Sequence, residues 1–239
     1  MSEVATADAS DAQRTMYAER AEAYEALIAA EDVDGNVLRQ LAAHVHVDDA
    51  RIVDVGAGTG RLARALLPRA EHVHLVEREP AMLAVARREI ERLGLLERAT
   101  FHVGDARALP LPDACADVAT AGWVFGHFRH WMPDGWRAEV DGALAEMRRV
   151  VGPGGRVVVL ETLGTGHETP REHAALDEYF AHLEQVHGMR RTWFRTDYAF
   201  ASVDEAVAIL QPFFGDALAS AIRAHGWARV PECTALFTS

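Results

Sequence analysis

The decapeptide RIVDVGAGTG at residues 51–60 constrains the fold of this chain more than any other segment. Ile52-Val53-Asp54-Val55 is a short β-branched run that stops at Gly56-Ala57-Gly58-Thr59-Gly60, and a helical pattern, RLARALL, begins at once. A strand, a glycine turn and a helix start bring backbone N–H groups against a ligand. The glycine spacing separates two ligand classes. A dinucleotide fingerprint, G-x-G-x-x-G, needs its third glycine at position 61, where this chain has Arg61, and the glycine falls instead at Gly60.

The segments around this motif alternate between strand and helix. Further strands are expected at 71–77, 99–105, 116–122 and 156–162, with helices at 60–67, from Pro80 to Gly94, and at 137–149, the last stopped by Gly152-Pro153-Gly154-Gly155. Such alternation implies right-handed crossovers and a mostly parallel, doubly covered sheet, which takes its ligands at the carboxyl ends of its strands. Glu77, Asp105, Gly122 and Thr162 all follow predicted strands.

Outside this core, residues 1–9 read as disordered, 12–30 as an amphipathic helix and 34–45 as a second helix. In the last third, Thr169-Pro170-Arg171-Glu172 and Ser202-Val203-Asp204-Glu205 read as capping boxes, opening helices to about Gly188 and His225. Residues 190–200 alternate enough to be a strand, and 227–238 read as a strand pair or one strand bent at Pro231.

At 239 residues the chain suits one domain that buries ~70–75% of its unfolded surface. A net charge of −12 argues against nucleic acid or an anionic membrane as partner, because phosphate contact needs a basic face. Cys115 and Cys233 have no partner motif, the polar N-terminus is no signal peptide, and no apolar stretch of membrane-spanning length is evident, so a cytoplasmic location is expected. His44-Val45-His46 and His72-Val73-His74 are H-x-H pairs without a nearby carboxylate or cysteine partner, and no metal is expected.

From residue 51 to 162 the order of motifs resembles the class I S-adenosylmethionine-dependent methyltransferases, nearest to small-molecule enzymes of the ubiquinone/menaquinone-biosynthesis type. The resemblance implies a Rossmann-like seven-stranded sheet with its last strand antiparallel, plus helical lid elements, in a single domain: a helical cap over 1–48, a cofactor-binding core over 49–165, and acceptor-side helices and final strands over 166–239. It also implies S-adenosylmethionine as cofactor. Gly56, Ala57, Gly58 and Gly60 would bring the backbone to its methionine part, and Asp54 would help shape the turn and hold the ammonium group, directly or through water. Glu77, with Arg78 beside it, would accept both ribose hydroxyls, one carboxylate offering two oxygens to two donors. Met82 would pack on adenine, while Asp105 and Ala106, after Gly104, would read its edge. Trp123, after Gly122, would line the pocket near the sulfonium and attract it through its ring face.

The acceptor side is read from GWVFGHFRHWMPDGW, residues 122–136. His127 and His130 share a helical spacing, and histidine's near-neutral pKa suits proton removal from a phenol, hydroxyl or acidic carbon. Thr162 and the cap tyrosines Tyr17 and Tyr24 are the expected acceptor contacts, and Glu161, Thr162 and His167 after the fifth strand are further candidates for the base. The expected function is methyl transfer to a small acceptor, apolar or aromatic, with oxygen preferred to nitrogen or carbon. The alternatives are a catalytically silent cofactor-binding protein and a nicotinamide oxidoreductase. The helix at 202–225 departs from the family's usual hairpin and implies either a specialised acceptor pocket or a homodimer surface.

Overall fold

Strand-forming runs that are apolar on both sides build the centre of this protein. A computed structural model describes residues 21–172 and 174–239. Arg51–Val55 (β1), His72–Glu77 (β2), Ala99–Val103 (β3), Val118–Gly122 (β4) and Arg156–Thr165 (β5) are parallel neighbours, in the order β3-β2-β1-β4-β5. Glu232–Thr238 (β9) then pairs antiparallel with β5 and with Arg190–Arg195 (β6), completing seven strands with the last in sequence running against its neighbours. β9 is buried at all 7 positions, as a strand covered on both faces must be.

Side-chain alternation along these strands divides the core into two layers. Val157 and Val159 of β5 and Ala235 and Phe237 of β9 face one layer, with Val140, Leu144 and Met147 of helix α6 (Trp136–Val151) and Phe180 and Leu183 of α7 (Ala174–Gln185). Val158, Leu160 and Leu236 face the other, against Leu41 of α2 (Asn36–His44), Leu62 and Leu66 of α3 (Arg61–Leu66) and Ala86 and Ile90 of α4 (Pro80–Arg92). The result is a helix–sheet–helix sandwich whose strand carboxyl ends share one edge.

Most expected elements stand within a few residues of their places. Pro80 is the first residue of α4, and Gly152 ends α6 with φ 65°. The differences lie in the loops and the last third. The segment after β4 forms a short helix, α5 (Gly126–Trp131), that the aromatic-rich sequence does not announce. The helix expected from Thr169 begins only at Ala174. The strand expected over 190–200 breaks at Thr196-Asp197, where the buried Asp197 carboxylate accepts from Arg195, Arg229 and the Glu232 N–H. Tyr198–Ala199 (β7) then pairs with Arg229–Val230 (β8) in a separate sheet, so the chain changes sheets at Pro231.

Helix α8 (Val203–His225) opens on the expected Ser202 cap, whose side chain accepts from the Glu205 N–H while Glu205 reaches back to the N–H of Ala201. Contrary to the sequence reading, this helix is long and apolar enough to span a membrane by length and composition. It is broken at Gly215 and buries Ala206, Val207, Leu210, Ala219 and Ile222 against Leu27 and Tyr198. The H-x-H pair on β2 is held by strand neighbours, His72 by Thr100 at 2.8 Å and His74 by His102 at 3.2 Å.

Phe237 is fully buried between the sheet and α7, beside Phe180. Phe237→Ala is expected to cost about 3–5 kcal/mol and to lower the melting temperature by roughly 6–20 °C, measured by calorimetry; a loss under about 1 kcal/mol would show that this layer collapses around the gap.

Candidate functional site

The glycine turn after β1 is held by a carboxylate from the next strand. Glu77, at the end of β2, accepts the Gly58 N–H on Oε2 at 3.0 Å and those of Arg78 and Glu79 on Oε1 at 2.7 and 2.9 Å. Burial pushes its pKa up, and the three backbone donors pull the other way. Gly58 has φ 55°, and a Cβ there would project between Met82 Cε and Tyr24 Cε1, each 3.7 Å away, into open cavity. Around that space lie Gly56, Arg78, Gly104, Asp105, Ala106 and Gly122.

Trp123 and His127 close this cavity on its far side, Tyr24 stands over it from α1 (Ala21–Ala29), and the same three residues line a second cavity beside it. Thr162 and the exposed His130 belong to the second cavity, together with Glu31, Glu161 and Glu232. Helix α1 is clamped over the junction by Glu25 on Arg64 at 2.6 Å. Glu31, just past that helix, clasps Arg61 through both guanidinium nitrogens at 2.7 and 2.8 Å. Tyr17 lies outside the described residues.

Several sequence assignments change in position or character. Asp54, Ala57 and Gly60 do not line the cavity. Asp54 is buried beneath the turn, accepting from Thr120 Oγ1 at 3.0 Å, and burial lifts its pKa to about 7. Gly60 serves packing instead, since a Cβ there would sit 3.1 Å from that of Ala86 in α4. Asp105 does face the cavity, but Arg107 engages both its oxygens, at 2.8 and 2.6 Å, and holds its pKa low. Trp123 has φ 57°, a strained conformation for a bulky residue, and its ring already carries a cation, the Arg61 guanidinium 3.6 Å from its centroid. The tryptophan is thus a wall between two cavities with one ring face taken by Arg61.

His127 stacks on Trp131 with ring centroids 5.1 Å apart. Burial drives its pKa down to about 4, with the nearby His130 adding to the effect and a hydrogen bond to the Trp123 backbone opposing it. A ring so poorly basic is a weak proton acceptor at neutral pH. The better-matched groups are carboxylates. Glu161 accepts from the Gly126 N–H and the Tyr179 hydroxyl, both at 3.0 Å, and burial raises its pKa to about 7. Glu232 accepts from Thr162 Oγ1 at 2.6 Å, and burial raises its pKa as well. Glu232 follows a proline in an unassuming strand, so no sequence pattern marks it.

Among the described residues one group has the composition of a metal site, away from both cavities: Asp141, His182 and His187, with ligand atoms within 4.8 Å. Asp141 Oδ1 lies 2.7 Å from a nitrogen of each ring, and Arg148 contacts the other nitrogen of His187. These hydrogen bonds tie α6 to α7 and to the turn after it.

The first cavity suits an adenosyl ligand by its own chemistry. It offers a glycine cradle that a Cβ would fill, a buried carboxylate after β2 with about one lone-pair site still unused, an apolar methionine on α4, and the Asp105-Ala106 edge. Comparison with known proteins agrees. The family model of a methyltransferase domain matches residues 53–159. A demethylmenaquinone methyltransferase of Thermus thermophilus is 43% identical over 113 residues, 46% of each chain. A ubiquinone/menaquinone biosynthesis C-methyltransferase of Ralstonia pickettii is 37% identical over 114 residues, 46% of this chain and 42% of that one. The chain thus spans about half the length of the curated relatives it matches. A Haemonchus contortus phosphoethanolamine N-methyltransferase, solved with S-adenosylhomocysteine, superposes with a TM-score of 0.58 at 20% identity, covering 94% of this chain and 58% of that one; at this identity it shows the fold.

The raised pKa of Glu161 fixes the sign of a pH effect. Its ordinary value is 4.5 and its folded value about 7, so the folded state binds this proton more tightly than the unfolded chain. Its contribution is most favourable below the unfolded value and declines as pH climbs toward the folded one. Glu161→Gln has no proton to lose. Its melting temperature relative to wild type is expected to rise between about pH 5 and about pH 7.5; a difference that stays flat in calorimetry would place the Glu161 proton elsewhere.

Proposed function

We propose that this chain, whose residues 53–159 match the family model of a methyltransferase domain, is a class I S-adenosylmethionine-dependent methyltransferase similar to those of ubiquinone and menaquinone biosynthesis and transfers a methyl group to a small molecule held in the second cavity. The observation that carries this reading is the junction of the two cavities at Tyr24, Trp123 and His127. One compartment has an adenosyl-type lining, the other a mixed acidic and apolar one, and a single aromatic partition separates them.

S-adenosylmethionine supplies an electrophilic methyl group on a sulfonium. The protein's task is to hold both partners and exclude water, with reacting atoms ~3–3.5 Å apart. Glu77 accepts the ribose hydroxyls while bracing the turn, Met82 packs on the adenine, and Asp105 with Ala106 reads its edge. Gly56 and Gly58 let the backbone approach the methionine part. Asp54 acts from behind the turn, by shaping it. In this reading residues 1–48 are the cap, 49–165 the cofactor core and 166–239 the acceptor side.

Oxygen loses its preference as the acceptor atom. That preference rests on His127 as a base, and a pKa of about 4 removes the support. His127 is better read as a neutral spacer at the partition. A relative named as a C-methyltransferase, moreover, gives oxygen no priority.

Calorimetric titration with S-adenosylmethionine and S-adenosylhomocysteine, with NADH and NADPH as controls, tests the reading. Micromolar binding of the sulfur nucleosides alone is expected. Glu77→Ala should weaken S-adenosylhomocysteine by at least about tenfold, as loss of charged hydrogen bonds implies, and should also lower the melting temperature because the same carboxylate braces the turn. Binding of nicotinamide nucleotides, or unchanged affinity in the variant, would overturn it.

A further inference from the structure

The second cavity, about 310 Å³, reaches the lower end of the ~300–1,000 Å³ typical of small-molecule sites. Its walls differ sharply in chemistry. Leu27, Ile28, Phe213 and Phe214 make one side apolar. The other side carries Glu31, Glu161 and Glu232, against the single guanidinium of Arg61 among the described lining residues. That guanidinium is already spent, clasped by Glu31 and stacked on Trp123.

The two remaining carboxylates are unequal. Glu161 takes both the Gly126 N–H and the Tyr179 hydroxyl on one oxygen, Oε1. Glu232 is 1% exposed; Thr162 donates to its Oε1 and Thr165 also pulls on the carboxyl, but no hydrogen bond of good geometry reaches the buried Oε2 among the described residues. An orphaned buried acceptor costs ~1–3 kcal/mol, and more if charged. Within a ligand-sized cavity such a cost is offset by a ligand that donates to it.

We propose that the acceptor taken by this cavity is an apolar amine, its nitrogen directed at Glu232 Oε2 and its carbon body against Phe213, Phe214, Leu27 and Ile28. This rests on the methyltransferase reading for its role as acceptor, though the binding itself does not require it. A carboxylate or phosphate finds no free cation there, since the one guanidinium among the described lining residues is committed to Glu31 and Trp123. An alcohol brings one donor and no charge. An amine brings N–H donors and a lone pair; burial raises the Glu232 pKa to about 8, so carboxyl and amine share one proton, and the ammonium–carboxylate pair satisfies Oε2 in a low-dielectric site. Proton transfer then breaks an N–H bond and forms an O–H bond on Glu232, leaving the electron pair on a neutral nitrogen. A buried carboxylate whose pKa burial has raised suits that exchange better than a solvated one.

The test uses 2-phenylethylamine, 2-phenylethanol and phenylacetate as probes, titrated calorimetrically into the wild-type protein with and without S-adenosylhomocysteine. The amine is expected to bind at least about tenfold more tightly than the other two. Glu232→Gln should abolish that preference while S-adenosylhomocysteine still binds, which also reports that the variant is folded. Phe214→Ala, at a partly exposed wall position, should weaken amine and alcohol alike and leave the preference intact. Equal or tighter binding of the alcohol or the acid, absence of amine binding, a preference that survives Glu232→Gln, or no effect of Phe214→Ala would each overturn the proposal. Failure of S-adenosylhomocysteine to bind the wild-type protein would instead overturn the cofactor reading, and the amine series would still be read without it.

Discussion

One carboxylate joins the two loops on which the first cavity is built. Glu77 closes β2 yet accepts the N–H of Gly58 from the turn after β1, as well as those of Arg78 and Glu79 from its own loop. The parallel pairing of β1 with β2 brings the two strand ends side by side, and the carboxylate then ties the loops across that gap. The backbone donors offset its burial, as a charged group in such a place requires. The position of the turn, the left-handed Gly58 and the open space above it follow from this arrangement.

A second charged tie fixes what lies over that space. Arg61 occupies the position at which a dinucleotide-binding turn would need glycine. Here its guanidinium reaches Glu31 beyond the cap helix and lies over Trp123. A single side chain thus couples the helix after the glycine turn, the cap and the aromatic partition between the cavities. The strained backbone of Trp123 is held at the same point, by an N–H bond to Leu160 O at 2.7 Å.

The two cavities treat their acids differently. In the first, Glu77 is met by backbone donors and Asp105 by Arg107, so each carboxylate is fixed in direction. In the second, the buried acids are met mostly by hydroxyls, and one oxygen is left over. Preorganised acceptors suit recognition of a constant ligand; an unsatisfied acid suits a group that brings its own proton and charge.

The parallel core was legible in the sequence because its signals are local. A β-branched run ending in closely spaced glycines, Pro80 at a helix start and Gly152 at a helix end each act through the backbone of the residues beside them. Positions such as Glu77 and Asp105 could be read for the same reason: in a parallel sheet, whatever follows a strand arrives at the common edge. Capping at Ser202 was legible, whereas the helix expected from Thr169 begins at Ala174. The tertiary structure alone decided that Arg61 would cover Trp123, that burial would strip His127 of its basicity, and that Asp54 would lie behind the turn. It alone brought Glu232, 70 residues from Thr162, to within hydrogen-bond reach of that residue. Strand order, burial and the electrostatics of a closed cavity depend on contacts between distant segments, and no window of sequence contains them.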